Sequence, residues 1–352
     1  MGASGPGCDR KNCRGRVNAH ISKKEREVLE DKAINTAVVQ GRESLHQVIN
    51  ETERWITGKR QQTQLVLVAL LAGGHILLND VPGVAKTRLA KVVGQLLGMS
   101  YARIQGTPDL LPSEVTGGLI YDPKSGDLRF RPGPIFHHII LFDEINRATP
   151  RTQAALLESM EERQVSDGGQ THLLPTPFMV LATQNPIEME GTFLLPEAQL
   201  DRFLLSFGLG YPDLADEVSL VRRFSQADDV TRIAAIWDPA QIQQLMQQVS
   251  EVRLDDAVLT YIVNLVRATR SHPLVRMGAS PRAAVQFAKA ARAYAYIEGR
   301  DFVIPDDVQA LAVPLLAHRL IMGAEASVGG STAADVVRSV ITEASAPVED
   351  SH

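Results

Sequence analysis

The chain has 352 residues, 44% of them hydrophobic, which is enough for one large domain and a smaller one, each with its own core. Its 36 basic and 41 acidic residues give a net charge of −5, which argues against a surface built mainly to bind nucleic acid. The two cysteines, Cys8 and Cys13, are too few for a disulfide framework or a cysteine-based zinc site. No apolar run approaches the roughly 20 residues of a membrane span and no signal peptide is evident, so we expect a cytoplasmic protein without membrane insertion.

The N-terminal segment, residues 1–33, is polar and is predicted to be a disordered arm. Weak helical spacing follows between Glu25 and Ile56. A strongly apolar helix, Gln61–Ala72, then leads into a short strand, His75–Asn79.

Three apolar runs each end on polar residues, a pattern typical of buried parallel strands. In an open parallel sheet, ligands bind beyond the carboxyl ends of the strands. The polar residues are therefore expected to meet at one edge of a sheet. The runs and their polar ends are Ile76–Leu78 before Asn79 and Asp80, Ile139–Phe142 before Asp143 and Glu144, and Phe178–Ala182 before Thr183, Gln184 and Asn185.

Two insertions are predicted to be hairpins, and the C-terminal third is predicted to be helical. The hairpins pair Gly118–Tyr121 with Leu128–Phe130, and Gln164–Ser166 with Thr171–Leu173. The predicted helices are Gln241–Val249, Asp255–Arg270, Pro281–Glu298, Asp306–Ile321 and Ala333–Ala344, with a linker at Gly323–Gly330.

A phosphate-binding loop is predicted between the first strand and the next helix, at Asp80, Val81, Pro82, Gly83, Val84, Ala85, Lys86 and Thr87. Such a loop needs converging backbone N–H groups, a lysine for the phosphates and a hydroxyl for Mg²⁺. Lys86 and Thr87 supply the last two. The loop departs from the usual pattern at Asp80 and Ala85, where glycines are common, and a carboxylate at its entrance can weaken ATP affinity.

The other two strand ends supply the residues that hydrolysis requires. Asp143 is placed to hold Mg²⁺, and Glu144 to polarise the attacking water. Asn185 would lie between them and bind the water or the γ-phosphate. The simpler interpretations are a solvated strand end for the two acids and an Asn-Pro turn for Asn185.

Several motifs in one order resemble the MoxR family of AAA+ ATPases, near the magnesium-chelatase and MCM branch. The similarity spans roughly residues 55 to 320. The motifs are Gly74–Leu78, Thr107–Ser113, Asp143–Ala148, Leu156–Glu162 and Leu195–Phe203.

The resemblance implies an α/β P-loop fold with a parallel sheet flanked by helices, two hairpin insertions and an all-helical lid. The expected boundaries are 34–235 for the nucleotide domain, 236–325 for the lid and 326–352 for a linker, terminal helix and tail. ATP and Mg²⁺ would bind at the crease between domain and lid.

The same resemblance assigns roles to single residues. Lys86 and Thr87 match the Walker A motif, Asp143 and Glu144 the Walker B motif, and Asn185 sensor 1. Arg202 matches the arginine finger and Arg282 matches sensor 2, although each is also an ordinary surface arginine by sequence alone. Arg147 and Arg151 are rival candidates for the finger.

The family resemblance further implies a homo-oligomeric ring, commonly a hexamer, with a chaperone-like role. The implied partner is a protein with a von Willebrand factor A domain. Two alternatives are a DNA-directed motor, which the acidic balance disfavours, and a switch that binds ATP without hydrolysis.

Overall fold

A computed structural model describes residues 41, 43–80, 84–124, 126–185, 191–224 and 233–347. Contacts separate Met1–Gln40 from a compact unit, Gly41–His352, that contains all of the described residues. The predicted N-terminal arm with Cys8 and Cys13 lies outside them, as do Val81, Pro82 and Gly83 of the phosphate loop.

A five-stranded parallel sheet forms the centre of the α/β domain, with the strand order β2-β5-β8-β1-β9. The three central strands are buried up to their polar carboxyl-terminal residues, which is the reason for their continuous hydrophobic runs. The parallel sheet predicted from those runs is confirmed. The strands are β1 Ile76–Asn79, β2 Tyr101–Gln105, β5 Ile139–Asp143, β8 Met179–Gln184 and β9 Leu205–Phe207.

Helices cover the faces of this sheet. They are α1 (residues 43–55), α2 Arg60–Leu71, α3 Lys86–Leu96, α4 Pro112–Thr116, α5 Pro150–Glu162, α6 Glu197–Leu200 and α7 Leu214–Phe224. Helix α5 begins at a Thr149 cap and a proline, and it ends at Arg163 in a left-handed conformation. Its 13 residues return the chain from the carboxyl edge of the sheet to the amino edge, a path of about 20 Å.

The two predicted hairpins are present and they touch each other. They pair β3 Gly117–Tyr121 with β4 Leu128–Pro132, and β6 Gln164–Asp167 with β7 Gln170–Leu173. The backbone N–H of Leu119 donates to the Asp167 carboxylate at 2.9 Å. The Phe130 ring stacks on His172 with 3.7 Å between ring centroids.

The C-terminal part consists of helices packed on one another. They are α8 Pro239–Glu251, α9 Asp256–Ser271, α10 Pro281–Ile297, α11 Pro305–Leu316, α12 Ala324–Gly329 and α13 Ala333–Glu343. Helix α13 packs against α9 and α11. The domain boundaries expected near residues 235 and 325 stay predictions.

Two predicted elements differ from the structure. The helix predicted to reach Ile321 ends at Leu316, and a 3₁₀ turn then leads into strand β11, Ile321–Met322, which pairs with β10, Val275–Met277. The predicted linker Gly323–Gly330 contains α12. Its residues favour helix, and Gly330 ends it with a φ of 67°.

Arg319 joins the helical part to the α/β domain. Its side chain is 1% exposed, and its Nε donates to the Asp201 carboxylate at 2.9 Å. Its other nitrogens donate to the backbone oxygens of Phe203 and Leu204 and to the Gln286 side chain. Burial lowers the pKa of Arg319 to about 10, so the group is charged at neutral pH.

None of the helices in the described ranges combines the length and the apolar character needed to cross a bilayer.

Candidate functional site

The polar ends of the strands meet at the carboxyl edge of the sheet. Parallel pairing sets Asn79 beside Gln184, and Gln105 beside Asp143. Asp80, Asp143, Glu144 and Asn185 follow at that edge, as predicted from the three apolar runs. Their catalytic roles remain predictions.

Lys86 opens helix α3 at this edge. The residue before it, Ala85, has a φ of 64°, a conformation that favours glycine and explains why glycine is common at that position. The Lys86 Nζ donates to the backbone oxygen of Asp80 at 3.0 Å. Burial lowers the pKa of Lys86, an effect that the nearby carboxylates, Asp143 foremost, partly offset. Thr87 lies in the same first helical turn, half-buried.

The Asp80 carboxylate has a structural partner. It is buried and accepts hydrogen bonds from the backbone N–H groups of Leu209 and Gly210, which follow β9. The Asp80 side chain therefore holds the start of the phosphate loop to the segment that follows β9. The carboxylate expected at the loop entrance already accepts hydrogen bonds from backbone N–H groups. The hydrogen bond from Lys86 goes to the backbone oxygen of Asp80, whereas the Asp80 carboxylate acts on Lys86 through its charge.

Asp143 ends strand β5 with both oxygens bonded. Its Oδ1 accepts from the hydroxyl of Thr183 at 2.7 Å, and its Oδ2 accepts from Arg103 Nη2 at 2.6 Å. Thr183 is buried on the neighbouring strand and Arg103 lies on β2. The carboxylate is thus oriented by one neighbour on each side.

Glu144 has a φ of 56°, so the chain turns sharply after β5. Its N–H donates to the Thr183 hydroxyl at 2.8 Å, and its Oε2 accepts from Gln105 Nε2 at 3.0 Å and from Arg147 Nη1 at 3.2 Å. Gly106 lies directly against this turn, because a Cβ there would be 2.1 Å from the backbone oxygen of Glu144.

Sequence reasoning missed Arg103, Gln105, Gly106 and Thr183. A usable signal was present in β2, where Arg103 and Gln105 alternate on one face and Gly106 follows at the carboxyl end. Thr183 lies in the third polar cluster and was noted only as part of it.

Arg202 and Arg282 lie together at the opposite, amino edge of the sheet. Both pair with Glu161, at 3.0 Å from Arg202 Nε and 2.8 Å from Arg282 Nη1. Arg202 precedes β9, which begins at Leu205, and Phe203 closes a turn onto Leu200. All three charged residues line a cavity of about 270 Å³.

The two edges are far apart. The N–H of Leu204 donates to the backbone oxygen of His75, just before β1, whereas the phosphate loop begins five residues later at Asp80. At about 3.3 Å per residue this separation is roughly 16 Å. The structure therefore does not bring Arg202 or Arg282 to Lys86 of the same chain. That ATP binds at the crease between the α/β domain and the lid stays a prediction.

The reason for the position of Arg282 is the loop before it. Ser280 donates to Asp201 Oδ2 at 2.9 Å, which fixes the start of α10 beside the Arg202 segment. Of the rival arginines, Arg147 binds Glu144 of its own chain, and Arg151 is exposed in the first turn of α5.

The residues at the carboxyl edge fit Mg²⁺ as a nucleotide-bound ion. Thr87 and Asp143 offer the hard oxygen ligands that Mg²⁺ prefers. Within the described ranges, no group of three or more His, Cys, Asp or Glu side chains could hold a metal ion. Two protein oxygens suit an ion that takes its remaining ligands from phosphate and water.

Residues 75–205 match the model of an ATPase family associated with various cellular activities, and residues 267–340 match an AAA lid domain. Chaperone MoxR1 of Mycobacterium tuberculosis is 40% identical over 288 residues, 79% of this chain and 76% of that one. Protein MoxR of Methylorubrum extorquens is 33% identical over 299 residues, 77% of this chain and 86% of that one.

The chain belongs to the MoxR family of AAA+ ATPases.

Two further relatives agree with this MoxR assignment. The uncharacterized protein YeaC of Bacillus subtilis is 45% identical over 307 residues, 87% of this chain and 96% of that one. A crystal structure of a candidate ATPase from Cytophaga hutchinsonii superposes with a TM-score of 0.85 at 34% identity, covering 91% of this chain and all of that one. The resemblance and the fold class predicted from the sequence are confirmed.

Proposed function

We propose that this MoxR-family protein hydrolyses ATP, with Mg²⁺, at sites shared between neighbouring subunits of a ring, and that turnover remodels a protein partner. One observation carries the shared site. Lys86, Asp143 and Glu144 lie at one edge of the sheet, while Arg202 and Arg282 lie at the other, roughly 16 Å away. Each chain therefore presents two different halves of an active site.

The carboxyl edge binds the nucleotide. Lys86 and the N-terminus of α3 attract the β- and γ-phosphates, since both carry positive charge. Thr87 and Asp143 would hold Mg²⁺, which supplies neutralisation of phosphate charge. Asp143 would exchange Arg103 for the ion while keeping its hydrogen bond from Thr183.

Glu144 orients the attacking water, and Asn185 binds beside it. In the structure the Glu144 carboxylate is held by Gln105 and Arg147. Both bonds end on Oε2, so Oε1 keeps its lone pairs for a hydrogen bond from the attacking water. Phosphoryl transfer needs a positioned nucleophile more than a strong base.

The amino edge of the next subunit completes the site. A guanidinium stays charged and can bind two phosphate oxygens at once, which suits Arg202 and Arg282 to the γ-phosphate of a neighbour's ATP. An arginine finger is worth roughly 10³–10⁵ in turnover in phosphoryl transfer. The ring is proposed to be a hexamer, as the family resemblance implies.

The two hairpins are the proposed contact for the partner. They expose large apolar side chains, which monomeric proteins rarely cluster without a binding role: Ile120, Tyr121, Leu128 and Leu173. The resemblance nominates a protein with a von Willebrand factor A domain. The M. tuberculosis relative is named a chaperone, which agrees with a remodelling role.

The first test separates binding from hydrolysis. Glu144→Gln is expected to bind ATP at parental affinity and to lose most turnover, because an amide keeps the shape but polarises water poorly. Lys86→Ala is expected to weaken binding itself, because it removes a charge-assisted phosphate contact. Parental turnover in Glu144→Gln would overturn its assignment.

The second test addresses the shared site. Arg202→Ala chains keep the nucleotide edge and Lys86→Ala chains keep the arginine edge, so each alone is expected to be nearly inactive. Mixed rings should recover part of the activity, since some interfaces pair an intact Lys86 with an intact Arg202. No recovery, in mixtures that light scattering shows to co-assemble, would remove Arg202 from this role and favour Arg147 or Arg151 as the arginine that acts across the interface.

A third test identifies the partner class. ATP turnover is measured with a purified von Willebrand factor A protein and, separately, with DNA over a salt series. Stimulation by the protein is expected. Stimulation by DNA that weakens with salt would point instead to a DNA-directed motor.

A further inference from the structure

Glu161 lies in the last turn of α5 and connects the two arginines of the amino edge. Its Oε2 is 3.0 Å from Arg202 Nε, and its Oε1 is 2.8 Å from Arg282 Nη1. Arg202 belongs to the α/β domain and Arg282 to the first turn of α10. A single carboxylate therefore spans two segments that are about 80 residues apart in sequence.

The way in which Glu161 binds leaves most of each guanidinium available. The nitrogen of Arg202 that pairs with Glu161 is Nε, and Arg282 donates to Glu161 from one terminal nitrogen. No described residue accepts a hydrogen bond from the two terminal nitrogens of Arg202. Because those nitrogens form the fork that grips an oxyanion, Glu161 can hold Arg202 while the fork binds phosphate.

The surrounding charge makes Glu161 distinctive. The described lining of the cavity has four basic side chains, Arg163, Arg202, Arg282 and Lys289, and Glu161 is its one acidic residue. Arg163 is already bonded to the backbone oxygens of Gly73 and Phe178. Without Glu161, the two partly exposed arginines would repel each other and turn toward solvent.

We propose that Glu161 is a positioning residue that sets Arg202 and Arg282 side by side for the γ-phosphate of the neighbouring subunit's ATP. The proposal rests on the shared site of the proposed function. Exposed ion pairs contribute little to stability, so the effect of Glu161 is on turnover rather than on folding. A misplacement of about 1 Å can cost roughly 100-fold in rate, and a partial loss of order in the two arginines is expected to cost about tenfold.

The test uses mixed rings in which only the interface between an intact Lys86 and an intact Arg202 is active. Lys86→Ala chains donate the arginines, and Arg202→Ala chains supply the nucleotide edge. Glu161→Gln is added to the first chain in one mixture and to the second chain in another. The amide is isosteric with the carboxylate but uncharged. Glu162→Gln on the arginine-donating chain is the matched control, since it removes the same charge from an exposed neighbour on α5.

The expected result is a fall of about tenfold in kcat, with little change in KM for ATP, only when Glu161→Gln is on the arginine-donating chain. On the other chain it should have no effect, because that chain donates no functional finger. Glu161→Asp on the donating chain should recover part of the loss. Thermal midpoints of all variants should stay near the parent's.

Three results would overturn the proposal. If Glu161→Gln lowers kcat equally on either chain, or on neither, Glu161 does not act through the donated arginines. A rise in kcat would show that Glu161 competes with phosphate instead of positioning the arginines. No activity in the parent mixture of Lys86→Ala and Arg202→Ala would refute a shared site that uses Arg202, and that result is read before Glu161→Gln is introduced.

Discussion

The buried ion pair between Arg319 and Asp201 gives a prediction about stability that the structure makes quantitative. Arg319→Met keeps most of the side-chain volume but removes every donor that the guanidinium offers. The charge of Asp201 and the backbone oxygens of Phe203 and Leu204 then lose a partner where little water can replace it.

Breaking one partner of a buried pair costs about 3–5 kcal/mol. Two acceptors keep other donors, since Asp201 still accepts from Ser280 at 2.9 Å and the Phe203 oxygen still accepts from His318 Nε2 at 3.1 Å. We therefore expect the lower end, about 3 kcal/mol, in the free energy of unfolding.

Urea unfolding followed by the fluorescence of Trp237, which is buried, measures this cost. Arg338→Met is the matched control, because it breaks an exposed ion pair to Asp335 and should leave the free energy of unfolding near the parent's. Equal stability of Arg319→Met and Arg338→Met would refute the reasoning that the buried pair holds the helical part to the α/β domain.

Three further predictions concern single positions. Ala85 has a φ of 64°, so Ala85→Gly should keep turnover, whereas Ala85→Val should lower the free energy of unfolding by at least about 1 kcal/mol. Ala85→Val should also lower ATP affinity, measured by calorimetry. Equal behaviour of the two variants would contradict this prediction. Gly106→Ala should lower the free energy of unfolding by about 1–3 kcal/mol and remove most of the turnover, because its Cβ would lie 2.1 Å from the Glu144 backbone oxygen. A fully active variant would show that the turn at Glu144 can shift freely. Burial lowers the pKa of His75 from 6.5 to about 3, so the unfolded chain binds the proton first and stability falls with decreasing pH below about 6.5. Between pH 7 and pH 5, protonation of His75 in the unfolded chain lowers the free energy of unfolding by about 2 kcal/mol. Urea titrations of His75→Gln at the two pH values should show a loss that is smaller by about this amount. An unchanged loss would show that the His75 ring is not buried in its neutral form.

The sequence predicted the sheet well because its signals are local. Each central strand is an apolar run that ends on polar residues, and Asp143, Glu144 and Asn185 therefore had to lie at one edge. The hairpins could be predicted equally well, since short runs of alternating apolar and polar residues flank Gly168 and Gly126. Turn residues and burial are properties of a few neighbouring positions.

The missed residues depend on contacts between distant segments. Gln105 reaches Glu144 only because β2 pairs with β5 in the observed register, which no local pattern states. Glu161 shares its helix with Glu158 and Glu162, and only the fold distinguishes it from them. Arg319 is a buried arginine whose partner, Asp201, lies 118 residues earlier. The end of α11 was misplaced because apolar residues resume at Leu320 directly after the 3₁₀ turn, and no local pattern shows that Ile321 and Met322 pair with β10.

Under the proposed shared site, the separation of the two edges favours head-to-tail assembly. A two-fold dimer that buries only one of these edges joins like surfaces, so it would pair arginine edge with arginine edge and complete no active site. Head-to-tail contact completes one site per interface. An open row of n subunits then has n−1 complete active sites and one unpaired edge at each end. A closed ring of n subunits has n complete active sites and no unpaired edge. Ring closure would thus add the last site and at the same time remove the two free faces at which further subunits could join.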